Sequence, residues 1–292
     1  MAQACGIVSM LTDFGLSDGY VGAMKGVMLR IDPGLRLVDL SHQVERHDVV
    51  TAALVLSHLA GHFPQGTVHL AVVDPGVGGD RRALAVETED FFFVGPDNGL
   101  FTAALQRYPP RRLVAIEPTP YLPARRSDTF HGRDVFAPVA AHCAAGVPVD
   151  RFGKPVDEFR TVEIPAPRRS GQMIQGQVIA VDRFGNLVTN VSREDVANFS
   201  GGAEVIVEIG GTVIAGLSRS YLQAGRGHPL AIMNSWDHLE VAVSEGDARA
   251  KLGMGRGQPV TVRRRAGKFS GTSPASGPSN GVGGEEDGRS SG

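Results

Sequence analysis

The sequence contains little of what marks secreted, membrane or nucleic-acid-binding proteins. Only two cysteines, Cys5 and Cys143, occur among 292 residues, which is too few for a disulfide framework and fits inert thiols in a reducing compartment. No apolar run approaches the roughly 18 residues of a membrane helix, and no signal peptide is recognisable. The net charge of -2 argues against nucleic acid or a membrane surface as partner. We therefore expect a cytoplasmic protein that acts on a small molecule.

Familiar phosphate- and metal-binding motifs are missing as well. The chain has no G-K-[ST] phosphate loop, and the glycines at 76–79 lack the G-x-G-x-x-G spacing and precede a predicted strand. His58 and His62 have a helical spacing that can bind a metal. No glutamate or third ligand accompanies them, so we interpret them as solvent-facing. The sequence therefore predicts neither a metal nor a cofactor.

Periodicity divides the chain into two predicted domains and a tail. In residues 1–165, strand-like and helix-like segments alternate, which predicts an α/β domain with a central sheet. After a proline-rich basic junction, short strands at close spacing predict a small β-domain, a sandwich or barrel, over residues 173–264. Residues 265–292 are mostly Gly, Ser, Pro, Asn and acidic residues, and we expect them to be disordered.

The predicted elements follow from apolar runs, alternation and helical spacing. Strands are expected at 7–11, 35–40, 68–73, 83–86, 91–94, 177–181, 187–191, 204–209, 212–215, 230–233, 239–243 and 259–263. Helices are expected at 20–31, 49–62, 99–108, 135–145, 193–199 and 247–252.

One predicted strand ends in a carboxylate and a glycine loop, V-V-D-P-G-V-G-G-D-R-R at 72–82. This places Asp74 at the carboxyl edge of a sheet, where open α/β sheets bind ligands. Arg81 and Arg82 supply positive charge within reach of Asp74. The alternative interpretation is a tight turn with a surface ion pair.

Three further loops carry polar side chains next to predicted elements. Asp13 and Asp18 follow the first strand and precede a helix, where Asp18 is also well explained as an N-cap. His131 lies in T-F-H-G-R-D at 129–134, and a histidine beside a loop glycine is harder to explain structurally. The segment D-R-F-G-N at 182–186 has the composition of a turn between strands.

Taken together, the motifs resemble one family, the S-adenosyl-L-methionine hydroxide adenosyltransferases, relatives of fluorinating and chlorinating enzymes. The matching segments are L-T-D-F-G-L-S-D-G-Y-V-G-A-M-K-G at 11–26, V-V-D-P-G-V-G at 72–78, V-G-P-D-N-G-L at 94–100, T-F-H-G-R-D at 129–134, D-R-F-G-N-L-V-T-N at 182–190 and N-S-W at 234–236. The resemblance implies an N-terminal α/β domain and a C-terminal β-barrel in a homotrimer, with each site between neighbouring subunits. It also implies conversion of S-adenosyl-L-methionine and water to adenosine and L-methionine.

The resemblance further implies a catalytic group of Asp74, Arg81 and His131. Attack at the ribose C5′ expels a neutral thioether, so the leaving group needs no acid. The water, in contrast, must be held in line and lose a proton. Asp74 is expected to orient or deprotonate this water, with Arg81 holding Asp74 and His131 completing the hydrogen-bonded set.

Substrate contacts carry over in the same way. Asp13 resembles the carboxylate that accepts the ribose diol, which suits two hydroxyl donors. Asp18 and Asp182 resemble groups near the methionine ammonium. Asn186 resembles the adenine contact, with Phe184 packing on the base.

The contact to the methionine carboxylate departs from the halogenating relatives. Ser235 resembles a carboxylate contact, but Trp236 stands where those relatives carry arginine, and Tyr20 is a local substitute. Three other functions stay open at this point: a halogenase of the same fold, a non-catalytic adenosine- or S-adenosylmethionine-binding module, and a metal-dependent hydrolase. Asp74 argues against the halogenase, because a carboxylate about 4 Å from a bound halide costs roughly 4 kcal/mol at an effective dielectric of 20.

Overall fold

The computed structural model describes residues 2–124 and 127–265. The tail expected to be disordered lies outside these residues from position 266 onward. Two sheets, one in each half of the chain, confirm the predicted α/β class with a second β-domain.

The N-terminal sheet has seven strands in the order β2-β1-β3-β5-β4-β6-β7. Its first four strands in this order are parallel, and the remaining pairs are antiparallel. The strands are β1 (Ile7–Thr12), β2 (Arg36–Ser41), β3 (Val68–Val72), β4 (Ala83–Glu87), β5 (Phe92–Pro96), β6 (Arg112–Ile116) and β7 (Gly153–Pro155). The helices are α1 (Tyr20–Ile31), α2 (Val49–Ala60), α3 (Thr102–Arg107) and α4 (Ala137–Ala144).

Helices cover both faces of this sheet, so its central strands β1 and β3 are mostly apolar and almost entirely buried. Met10 of β1 packs with Met24 of α1 in one core, whereas the next residue, Leu11, packs with Leu56 of α2 in the other. This alternation follows from the two-residue period of a strand. The continuous apolar runs that predicted β1 and β3 are thus strands buried on both sides.

The sheet brings two loops to one edge. β1 and β3 are parallel neighbours, and Thr12 is in register with Val72. The loop that holds Asp13 and the loop that holds Asp74 therefore leave the sheet side by side, at the carboxyl ends of the strands.

The C-terminal domain is a nearly closed antiparallel barrel. Its strands are β8 (Arg168–Ser170), β9 (Met173–Val181), β10 (Leu187–Ser192), β11 (Val205–Ile209), β12 (Thr212–Ala215), β13 (Pro229–Met233), β14 (His238–Val243) and β15 (Pro259–Arg264), with α5 (Arg193–Ser200) and α6 (Ala248–Leu252). The order is β12-β11-β15-β9-β10-β14-β13, and β8 pairs with β9. A bridge from Ser218 to Ile232 brings the two ends together.

The two domains contact each other where α2 of the N-terminal domain meets the C-terminal domain. Arg256 is paired with Asp48, the residue that caps α2. The Trp236 ring packs on His58, with centroids 5.0 Å apart. The interpretation of His58 as solvent-facing is therefore wrong, because Trp236 of the C-terminal domain packs against its ring.

No helix in residues 2–124 and 127–265 is long and apolar enough to cross a membrane. Within the same ranges, no three His, Cys, Asp or Glu side chains form a group that could hold a metal ion.

Candidate active site

Asp74, Arg81 and His131 form one hydrogen-bonded array at the edge of the N-terminal sheet. Arg81 Nε donates to both carboxylate oxygens of Asp74, at 3.0 and 2.9 Å, and Arg81 Nη2 also donates to Asp74 Oδ2. The same Nη2 lies 2.7 Å from Nδ1 of His131. The structure thus confirms that Arg81 reaches Asp74, as the sequence predicted, and adds His131, which only the family resemblance connected to them.

The Asp74–Arg81 pair is buried, so the surface ion pair considered for this loop is excluded. The side chains of Arg81 and Asp74 are each 4% exposed. The Arg81 guanidinium also lies over the ring of Phe136, 5.3 Å from its centroid. Arg82 does not reach Asp74, contrary to expectation, and pairs instead with Asp97 at 2.8 Å. Both arginines precede β4, which begins at Ala83, and only Arg81 is directed towards Asp74.

The arrangement defines the protonation of His131. A guanidinium can only donate hydrogen bonds, so Nδ1 of His131 must be the acceptor from Arg81. The ring proton is then on Nε2. Arg81 consequently stands between two acceptors, the Asp74 carboxylate and a neutral imidazole.

Close packing of two loops brings His131 to Arg81. Gly78 has φ of +78°, and a Cβ at this position would lie 2.6 Å from the carbonyl oxygen of Asp128. Only glycine combines this backbone conformation with such a close approach. Residues Gly132–Phe136 then form a π-helical turn that leads into α4. The helix predicted at 135–145 therefore has an additional wide turn before it, which places His131 at the site.

A pocket of about 130 Å³ opens onto the array. It is lined by Phe14, Tyr20, Val72, Asp74, Val77, Thr129, Phe130, His131 and Gly132. Phe14, Tyr20 and Phe130 contact one another through their rings, with centroids 5.1 to 6.0 Å apart. Tyr20, proposed from the sequence as a substrate contact, is therefore beside the catalytic candidates.

The loop after β1 presents Asp13 and Asp18. Asp13 Oδ2 accepts a hydrogen bond of 2.9 Å from the backbone of His47. The N-cap interpretation of Asp18 is wrong, because Gly19 is the N-cap of α1 and no side chain caps it. The Asp18 side chain is exposed at the helix entrance.

A second and larger pocket, about 580 Å³, lies in the C-terminal domain. Its lining includes four residues singled out from the sequence, Asp182, Phe184, Asn186 and Ser235. Asp182 organises the turn, since its carboxylate accepts from the backbone of Phe184 and from both the backbone and side-chain amide of Asn186. The Asn186 amide nitrogen is thereby engaged in the turn. Phe184 is 76% exposed, so its ring is accessible from solvent.

Sequence analysis missed an acidic network in this second pocket. Glu240 is only 3% exposed and accepts hydrogen bonds from Tyr221 Oη at 2.9 Å and Asn234 Nδ2 at 3.0 Å. Burial raises the pKa of Glu240, and burial together with the bond to Glu240 raises the pKa of Tyr221 to about 12. A lone glutamate inside the apolar run L-E-V-A-V was the available signal.

The two pockets share no lining residue among those described. Asp74, His131 and Tyr20 line one, with Arg81 hydrogen-bonded to the first two, and Asp182, Phe184, Asn186 and Ser235 line the other. Trp236 lines the C-terminal pocket while its ring packs on His58. Within one chain, the candidate catalytic group and the candidate base-binding group are thus separate.

Comparison with known proteins gives the same family for both domains. Family models match residues 8–153 as a SAM hydroxide adenosyltransferase N-terminal domain and residues 176–261 as the corresponding C-terminal domain. A curated "(R)-S-adenosyl-L-methionine hydrolase" from Thermus thermophilus is 42% identical over 262 residues, 87% of this chain and 98% of that protein. A "Fluorinase" from an Actinoplanes species is 26% identical over 88% of this chain and 97% of its own length.

Two solved structures have the same fold as this chain. An uncharacterised conserved protein from Thermotoga maritima has a TM-score of 0.83 at 35% identity, covering 88% of this chain and all of that one. A conserved hypothetical protein from Thermus thermophilus has a TM-score of 0.71 at 39% identity, covering 87% and 98%.

Proposed function

The chain belongs to the SAM hydroxide adenosyltransferase family, and from this premise we propose that it hydrolyses S-adenosyl-L-methionine to adenosine and L-methionine. The observation that carries the proposal is the buried Asp74–Arg81–His131 array facing a small pocket. Relatives named for this hydrolysis are 37 to 44% identical, against 26% for a relative named fluorinase.

The reaction requires an activated water and no acid for the leaving group. Water oxygen forms a bond to ribose C5′ while the C5′–S bond breaks and its electron pair returns to sulfur. One proton is released for each substrate consumed, because a sulfonium cation becomes a neutral thioether. The site must therefore hold water in line with C5′ and favour loss of its proton.

Each member of the array has a defined role in this chemistry. Asp74 accepts from Arg81 with both oxygens, so its remaining lone pairs orient the water and receive its proton. Arg81 holds Asp74 through its hydrogen bonds and stabilises developing hydroxide character in a site shielded from solvent. His131, with its proton on Nε2, adds a donor for the water oxygen. Removing Arg81 breaks the contacts to both Asp74 and His131.

A halogenase is the second candidate, and pairing with Arg81 weakens the electrostatic argument against it. The ion pair is neutral overall, so a halide meets less repulsion than from an isolated carboxylate. The choice of water over halide is therefore tested directly by product analysis.

The first prediction concerns the origin of the new oxygen. Incubation with S-adenosylmethionine in ¹⁸O-water, without added metal, should give adenosine with the label in its 5′-hydroxyl, measured by mass spectrometry. A parallel reaction with chloride should give the same product. Unlabelled adenosine, or 5′-chloro-5′-deoxyadenosine as the main product, contradicts the proposal.

We also propose that the enzyme is a homotrimer with each site shared between neighbouring subunits. Two features support this: the catalytic and base-binding candidates line separate pockets in one chain, and aromatic side chains are exposed at both (Phe184 at 76%, Tyr20 at 49%). Two free cysteines suit a cytoplasmic location, and the chemistry requires no cofactor beyond the substrate.

Subunit mixing tests the shared site. Asp13→Ala and Asn186→Ala chains should each be inactive, yet mixed trimers should regain activity at about a quarter of their sites, the random expectation for a ring of heterologous interfaces. Mixing Asp13→Ala with Asp74→Asn is the control, because both changes are in the N-terminal domain and no intact site can form. Continued inactivity of the first mixture despite demonstrated exchange would show that each site lies within one chain.

A further inference from the structure

Strand β1 carries two buried hydroxyls, and each is hydrogen-bonded to a histidine. Ser9 Oγ lies 2.6 Å from His69 Nδ1, and Thr12 Oγ1 lies 2.8 Å from His42 Nδ1. Ser9, His69 and Thr12 are fully buried, and His42 is 3% exposed. The first pair is enclosed by aromatic rings of the core. The second pair is at the carboxyl end of the strand, directly before Asp13.

His42 holds the Asp13 loop at both ends. Its ring contacts Thr12, the residue before Asp13, and its carbonyl oxygen accepts a 2.7 Å hydrogen bond from the backbone of Gly15. Asp13 lies between these anchor points. Its carboxylate also accepts from the backbone of His47, in the same segment as His42.

The hydrogen-bond donors and acceptors around His42 form a consistent set. Thr12 Oγ1 accepts from the backbone of Phe14 at 3.3 Å, so its hydroxyl proton is available to His42 Nδ1. The imidazole proton is then on Nε2, which faces Asp39 Oδ1 at 3.0 Å, off the line of an ideal hydrogen bond. Asp39 is in turn paired with Lys25 at 2.7 Å. A chain of polar contacts therefore runs from the half-buried Lys25 to the base of the Asp13 loop.

We propose that His42 is a positioning residue that sets the Asp13 carboxylate for the substrate's ribose diol. The inference deepens the proposed function and rests on the ribose role assigned to Asp13. His42 is too buried to touch substrate, so it acts through the backbone on either side of Asp13. Loss of the Thr12–His42 bond frees the loop at the point where it leaves β1, and the carboxylate no longer meets both ribose hydroxyls.

The test compares adenosine with 2′,3′-dideoxyadenosine, which lacks the diol. The unchanged protein should bind adenosine about 10- to 100-fold more tightly by calorimetry, the scale of hydrogen bonds to a charged group. Thr12→Val, which removes the hydroxyl and keeps the shape, should reduce this preference by about tenfold. Ser9→Ala removes the other buried hydroxyl of β1 and is the matched control, with the preference unchanged.

Substitutions at His42 distinguish a positioning role from a general loss of structure. His42→Leu should lose the preference, whereas His42→Asn should restore part of it, because the asparagine amide oxygen can accept from Thr12 in place of Nδ1. In turnover, the KM for S-adenosylmethionine should rise more than kcat falls.

Different results would contradict the proposed hydrolysis and the positioning role of His42. If the unchanged protein does not hydrolyse S-adenosylmethionine but Thr12→Val removes the diol preference, the proposed function is wrong and the positioning role stands. If hydrolysis occurs and the preference survives in Thr12→Val and His42→Leu, or changes equally in Ser9→Ala, the positioning role is overturned. Absence of any diol preference in the unchanged protein also overturns it.

Discussion

Asp74→Asn is expected to lower kcat by about 10²-fold or more, the scale of a lost acid–base group. The amide keeps the shape of the side chain but offers one acceptor oxygen where the carboxylate offers two. Its NH₂ group must face either the Arg81 donors or the water, and neither arrangement supports proton removal. The KM should change much less, because Asp74 is assigned to the water and not to the ribose or the base. Steady-state kinetics with product chromatography measures both.

The matched control for this substitution is Asp97→Asn. Asp97 is also buried and paired with an arginine, Arg82, at 2.8 Å, but it does not line the catalytic pocket. Its substitution should reduce stability and leave kcat nearly unchanged in the folded protein. Near-normal turnover in Asp74→Asn, or an equal loss in both variants, would reassign Asp74 to a structural turn.

Arg81→Leu is expected to abolish turnover and to lower the free energy of unfolding by about 3–5 kcal/mol, as when one partner of a buried ion pair is removed. The Asp74 carboxylate, whose side chain is 4% exposed beside Arg81, would lose its cationic partner in the array. His131 would lose the donor that fixes its ring. Urea denaturation followed by circular dichroism measures the stability, and the kinetic assay the activity.

The double variant Asp74→Asn with Arg81→Leu distinguishes charge from packing. It should recover part of the stability, since no unpaired charge remains, and it should stay inactive. Arg111→Leu breaks an exposed pair with Glu89, whose side chains are 43% and 73% exposed, and should cost no more than about 1 kcal/mol. If Arg81→Leu lowers the free energy of unfolding as little as Arg111→Leu does, the Asp74–Arg81 pair does not act as a buried ion pair.

Sequence patterns predicted most of the long elements because their faces are buried in regular ways. The helix predicted at 20–31 has the bounds of α1, and the apolar runs that ended at residues 11 and 73 became β1 and β3. The strands β7 and β8 were not predicted, because each has three residues and little apolar character. The five-residue β6, which contains the apolar stretch L-V-A-I, was also missed.

What the sequence by itself determined is local: a carboxylate just after each of the buried strands β1 and β3, glycines where the loops turn, and motifs that identify the family. What only the tertiary structure decided is which of these side chains meet. Arg81 pairs with Asp74 and Arg82 does not, His131 joins them from a loop 50 residues away, and His42 anchors the Asp13 loop from 30 residues away. These contacts depend on the parallel register of β1 with β3 and on the close approach of Gly78 to Asp128. Such distances are set by the packing of whole elements, which no local pattern of residues contains.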